Sequence, residues 1–193
     1  MTTVHAINAA FLARKFEGGL TYDDYLATDP EKAAPWRAIH EQVALNASQR
    51  ELLGRFTRSV KILALSGIWC GDCVQQGPLV QIIAQATPVI EVRWLDRDEH
   101  ADLSDAVMIN AGRRVPMFIF MAEDHEPVSI IGDRTVSRYR AMAARSLGPS
   151  CPVPGAPISD DELAATLQDY LDEVERVHLL LRLSGRLRTK HGD

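Results

Sequence analysis

Cysteine is scarce in this chain. Cys70, Cys73 and Cys151 are the only three among 193 residues, too few and too uneven for the disulfide framework of a small secreted domain. The scarcity suits a reducing compartment, and a cytoplasmic location is expected. Long apolar runs are also missing. None approaches the roughly 18 residues of a membrane span, so no membrane partner is expected. The opening residues hold no basic stretch followed by a continuous apolar one, which argues against a secretory leader. Positive charge is not in excess. The formal net charge is −5, and phosphate backbones need a basic surface, so nucleic acid is not an expected partner. Glycine-rich phosphate loops and dinucleotide fingerprints are absent. The six histidines show no H-x-x-x-H spacing, and a second C-x-x-C is lacking. No cofactor and no resident metal are expected.

What is present is a globular composition, 46% apolar and 24% charged, enough for one domain with additions. Four segments are expected. Residues 1–58 read as a helical N-terminal extension, and 59–147 carry the strands. Residues 148–158 form a Pro/Gly-rich loop, and 159–193 hold a C-terminal helix and tail.

In the first segment Val4, Ile7, Phe11, Leu12 and Phe16 recur at helical spacing until Gly18-Gly19. Thr21 suits the cap of a short second turn. Pro35 suits the first turn of a long helix over 35–58, with Trp36, Ile39, Val43, Leu52, Leu53 and Phe56 toward a core. From residue 60 strand formers take over. The pattern predicts strands at 60–66, 88–95, 115–121 and 128–131. Helices are predicted at 71–86, kinked at Gly77-Pro78, at 98–109 and at 135–147. Helical crossovers predict that the first three strands run parallel, and the tight turn at 123–127 predicts an antiparallel final hairpin. The sum is an α/β mixed sheet with helices on both sides. Ser159-Asp-Asp-Glu162 reads as a capping box for a long helix to about 183. The basic tail from Ser184 reads as frayed.

Cys70 and Cys73 are one turn apart, just past a buried strand and at the start of a predicted helix. Such a pair is either redox-active or half of a metal site. At a helix start the unpaired N–H groups stabilise the first thiolate. That thiolate can attack a substrate disulfide, and the second thiol can resolve the mixed disulfide. Gly71 would permit close backbone approach.

Trp69-Cys70-Gly71-Asp72-Cys73 resembles the W-C-G-P-C motif of the thioredoxin family, and Val115-Pro116-Met-Phe-Ile-Phe120 resembles that family's cis-proline loop and following strand. The resemblance spans about 58–147. It implies a thioredoxin-like core within an α/β fold, with additional N-terminal and C-terminal helices. It implies Cys70 as nucleophile, Cys73 as resolver, Pro116 as the cis proline facing them, and Gly132 as the glycine after the last strand. Trp69, Gly71, Asp72, Val115 and Met117 would border the substrate groove, although Met117 suits core packing nearly as well. The implied activity is that of a protein disulfide oxidoreductase, a reductase of protein disulfides that carries electrons on its own cysteines. A reductase or a small thiol would supply those electrons.

Two departures stand out. The family's buried aspartate, six residues before the first cysteine, is replaced by Ala64. Ser66 is a weak candidate to assist the resolving thiol instead. Asp72 stands where the motif has proline. An anion there should disfavour the neighbouring thiolate, so the Cys70 pKa is expected to be higher than in Asp72→Asn, which suits a reductase. Asp72 could instead cap the helix. Arg113 and Arg114 could steer acidic partners or simply face water, and the acidic run Asp96, Asp98, Glu99, Asp102 and Asp105 reads as a solvated face. Cys151 reads as a bystander thiol. Two further readings remain open: a non-catalytic binding or redox-sensing module of the same fold, and zinc held by Cys70, Cys73, Cys151 and one histidine. The helical additions could enlarge the substrate surface or supply a homodimer face.

Overall fold

A computed structural model describes residues 7–147 and 161–193. Val4, the Pro/Gly-rich loop with Cys151, and Ser159 lie outside the described residues. The N-terminal helices are α1 (Ala9–Glu17), α2 (Tyr22–Ala27), α3 (Pro30–Gln42) and α4 (Ala47–Gly54). They are followed by β1 (Val60–Ser66), α5 (Gly71–Gln85), β2 (Ile90–Asp96), α6 (Ala101–Ala106), β3 (Met117–Ala122), β4 (Pro127–Gly132) and α7 (Val136–Ser146). Then come α8 (Glu162–Leu183) and α9 (Gly185–His191).

The expected long helix over 35–58 is two helices. Pro30, not Pro35, occupies the first turn of α3, behind the Asp29 cap, and Pro35 lies inside the helix. Asn46 and Gln49 then form a reciprocal capping box that starts α4. That N-x-x-Q pattern outweighs the continuous apolar stripe because it satisfies backbone N–H groups that a new helix leaves orphaned. α8 starts at the Asp161 cap, whose side chain accepts from the Ala164 N–H. The tail is not frayed throughout: Ser184 caps α9.

The sheet order is β2-β1-β3-β4. β1 and β2 are parallel, whereas β3 runs antiparallel to β1 and β4 antiparallel to β3. The expectation of three parallel strands is therefore corrected. α6 has six residues, about 9 Å of rise. β2 has seven, about 23 Å of strand. The helix is too short to return the chain to the start of the sheet. β3 instead begins at the end where β1 and β2 finish, which brings Val115-Pro116 to the level of Cys70.

One sheet face carries an aromatic cluster. Ala64 of β1 is in register with Trp94 and Phe118, and Tyr25 stacks on Trp94 at 5.6 Å between ring centroids. Trp36 meets Trp94 edge-on at 5.7 Å, and Tyr170 of α8 meets Phe118 at 5.3 Å. Such pairs add about 0.5–1.5 kcal/mol each beyond area burial. α5 packs over this face because Gly77 admits Trp36: a Cβ at Gly77 would lie 2.2 Å from the indole Cζ3. α1 lies on the opposite face, where Lys61 and Arg93 approach the Phe16 ring. The chain crosses between faces at Leu20, which pairs with Trp94 through two 2.9 Å backbone bonds and covers the β2 edge. The core runs without a break from Phe11 to Leu187, so both helical additions share it.

Candidate active site

β1 ends at Ser66 and α5 begins at Gly71, so the intervening turn delivers Cys70 to the N-cap of α5. Its backbone N–H donates to the Gly67 carbonyl at 2.9 Å. Trp36 fixes the same turn through a 3.0 Å hydrogen bond from its indole N–H to the Ile68 carbonyl. Cys70 is half-buried, Cys73 fully buried, and both are free thiols. Cys70 Sγ donates to the Val115 carbonyl at 3.7 Å. The Val115–Pro116 peptide is cis, and Pro116 is buried beneath it.

The two thiols differ in kind. The Cys70 pKa falls to about 6, chiefly because the Cys73 thiol hydrogen-bonds its thiolate. Burial opposes this, and the backbone N–H groups of Cys73 and Asp72 assist it. Asp72's charge is the smallest of these influences and raises the value. Cys73 is pushed well above the ordinary thiol range by burial, and further by Cys70. One thiolate is available at neutral pH, and the other sulfur is held back as a protonated thiol.

Asp72 lies in the first turn of α5, and its carboxylate is engaged by two arginines. Arg134 takes one of its oxygens, and Arg138 takes the other through Nε at 3.1 Å and Nη2 at 3.0 Å. Glu162 of α8 also engages Arg138. The anion that the motif places beside Cys70 is thus partnered by two cations. Gln76, fully buried, ties the same region together. Its Nε2 donates to the Asp133 carbonyl at 2.9 Å, and its Oε1 accepts from the Thr135 N–H at 3.2 Å and Tyr170 Oη at 2.9 Å. Asp133 itself is buried, and burial alone would raise its pKa. The Tyr139 hydroxyl, Arg134 and Arg114 lower it below the ordinary carboxylate range.

The other expected groove residues separate. Trp69 is 47% exposed, with the Arg97 guanidinium 4.7 Å above its ring. Gly71 is exposed, and a Cβ there would meet nothing within 4 Å, so no close backbone approach within the chain explains it. Val115 is buried, and its carbonyl accepts from Cys70 Sγ. Met117 is 2% exposed, and its sulfur sits against Gly132, the last residue of β4. Its side chain therefore faces the sheet, not an open groove. Arg113 pairs with Asp105 and Arg114 with Asp133. Among the described residues, no three His, Cys, Asp or Glu side chains converge to hold a metal ion, and no helix is long and apolar enough to cross a membrane. Sequence reasoning missed Trp36, Arg134 and Arg138. Each reaches the site across more than 30 positions, and no local pattern marks such a contact.

A sequence profile of the family described as Thioredoxin matches residues 19–144. No curated protein matches the chain. Among solved structures, PA1234, a protein of unknown function from Pseudomonas aeruginosa, is similar with a TM-score of 0.67 at 14% identity. The match covers 86% of this chain and 95% of that one. An HIV epitope scaffold is similar with a TM-score of 0.62 at 15% identity and the same coverage of 86% and 95%. These likenesses are of fold alone. They cover a larger share of the chain than residues 19–144.

Proposed function

Because this chain belongs to the thioredoxin family, we propose that it is a thiol–disulfide oxidoreductase that reduces protein disulfides through Cys70 and Cys73. One observation carries the reading: a half-buried thiol at the N-terminus of α5, with its pKa lowered to about 6, backed by a fully buried thiol whose pKa is raised.

The Cys70 thiolate attacks one sulfur of a substrate disulfide and displaces the other as a thiolate, which takes a proton. Cys73 then attacks Cys70 Sγ in the mixed disulfide. The Cys70–Cys73 bond forms, the bond to substrate breaks, and the Cys73 proton leaves with the second substrate sulfur. Two electrons pass from the pair to the substrate. A thiol donor or a reductase restores the dithiol. The Trp69 ring and the edge of the Val115–Pro116 loop flank Cys70 and suit an extended substrate segment.

A Cys70 pKa of about 6 lies closer to the about 7 of thioredoxin than to the about 3.5 of the oxidant DsbA, which favours the reductive direction. The test is dithiothreitol-driven reduction of insulin. The wild-type chain accelerates precipitation of the insulin B chain, Cys70→Ser does not, and Cys73→Ser accumulates as a mixed disulfide. Equal rates for wild type and Cys70→Ser would overturn the reading.

A further inference from the structure

The resolving step asks Cys73 to give up a proton where burial opposes its thiolate, with no carboxylate at Ala64 to assist. The packing explains that absence. Ala64 is fully buried, and Trp94 and Phe118, both in register with it, meet edge-on at 6.2 Å between ring centroids. Two residues further along the same face, β1 ends at Ser66, which is fully buried. Its hydroxyl and the Tyr25 phenol are both buried without a hydrogen-bond partner, and the Ser66 hydroxyl eases ionisation of both Cys73 and Tyr25. Tyr25 is 1% exposed and is wedged between Trp94 and Trp36. Neither oxygen is engaged while both thiols are protonated. Tyr170 also bears on Cys73, but its hydroxyl is committed to Gln76. Two buried hydroxyls without partners, close to a buried thiol, suit an anion that arises there only transiently.

We propose that Ser66 Oγ, backed by the Tyr25 phenol, donates a hydrogen bond to the Cys73 thiolate as it forms, and so serves the resolving step in place of the missing carboxylate. The inference rests on the dithiol reading above. Ser66 touches a reacting atom and is a catalytic residue. Tyr25 acts through Ser66 and is a positioning residue. Neither hydroxyl takes the proton away. It leaves Cys73 and ends on the departing substrate sulfur, so atoms and charge balance. The titratable groups facing Cys73 are Cys70 on its own helix, Tyr25 of α2 and Tyr170 of α8; Asp96, at the end of β2, bears on Tyr25.

The test uses the full chain in a Cys151→Ala background and the aromatic disulfide dithiobis(nitrobenzoate). Attack by Cys70 releases one equivalent of thionitrobenzoate, and resolution by Cys73 releases the second. Each phase is followed against pH. Ser66→Ala should leave the first phase unchanged, slow the second about tenfold at neutral pH, as one unit of thiol pKa would, and move its pH midpoint upward. Tyr25→Phe should shift the second phase the same way by less, and Ser66→Thr should restore it. A second phase in Ser66→Ala that superposes on wild type overturns the inference and leaves the function standing. If Ser66→Ala does not fold, a Tyr25→Phe profile identical to wild type overturns it. A wild type that releases only one equivalent overturns the dithiol reading itself.

Discussion

The indole N–H of Trp36 donates a 3.0 Å hydrogen bond to the carbonyl of Ile68, two residues before Cys70. A helix of the N-terminal addition thereby holds the turn that presents the candidate nucleophile. Trp36→Phe keeps an aromatic ring but leaves that buried carbonyl unpartnered. The expected loss is about 1–3 kcal/mol, read as a lower urea midpoint. An unchanged midpoint would show that the turn does not depend on Trp36.

Asp72 and Arg138 should act on Cys70 with opposite signs. Asp72→Asn removes a charge that raises the Cys70 pKa and frees two guanidinium groups beside it, so the midpoint of Cys70 alkylation against pH should fall below the wild-type value of about 6. Arg138→Gln leaves Asp72 with less compensation, so the midpoint should rise. Shifts of the same sign in both variants would contradict this electrostatic account.

Gly77→Ala tests the contact between α5 and α3. Alanine gains about 1 kcal/mol of helix propensity over glycine. Its Cβ would stand 2.2 Å from a fully buried indole, and overpacking of that kind costs about 1–3 kcal/mol. The clash outweighs the propensity because the indole is held by Tyr25 and Trp94 and has no free space to enter. The variant should be less stable than wild type by thermal unfolding; equal or greater stability would refute the packing argument.

His178 gives the fold a pH dependence. Its Nε2 accepts the Thr57 N–H at 2.9 Å, and its ring stacks on Phe56 at 4.2 Å. Burial, then Arg182 and Arg58, hold its pKa below the ordinary histidine value. The folded state therefore binds this proton less readily than the unfolded chain. Its contribution is complete above about pH 6.5, the unfolded value, and is lost as pH falls from there through the lower folded value. Urea midpoints should drop between neutral and mildly acidic pH. His178→Gln should shrink that drop without abolishing it, because His100 and His125 are shifted the same way.

The order of strands and helices around Cys70 was legible because periodicity and Gly/Pro punctuation are local. Legibility failed where a short segment had to choose between two local signals, as at Asn46, and where chain reach decides direction, as at α6. The candidate site was legible along the chain at Trp69–Cys73 and Val115–Pro116. It was not legible across the chain. Nothing near Asp72 announces Arg134 and Arg138, because these partners, more than 60 positions away, meet only in the folded chain.

Disulfide reduction by this chain requires a reversible disulfide between Cys70 and Cys73. A glutathione redox titration, read by thiol alkylation and intact mass, tests it most directly. The predicted result is a loss of two hydrogens with a single midpoint near the about −270 mV of thioredoxin, abolished in both Cys70→Ser and Cys73→Ser and retained in Cys151→Ala. Thiols at Cys70 and Cys73 that stay open to alkylation across the whole range would contradict it.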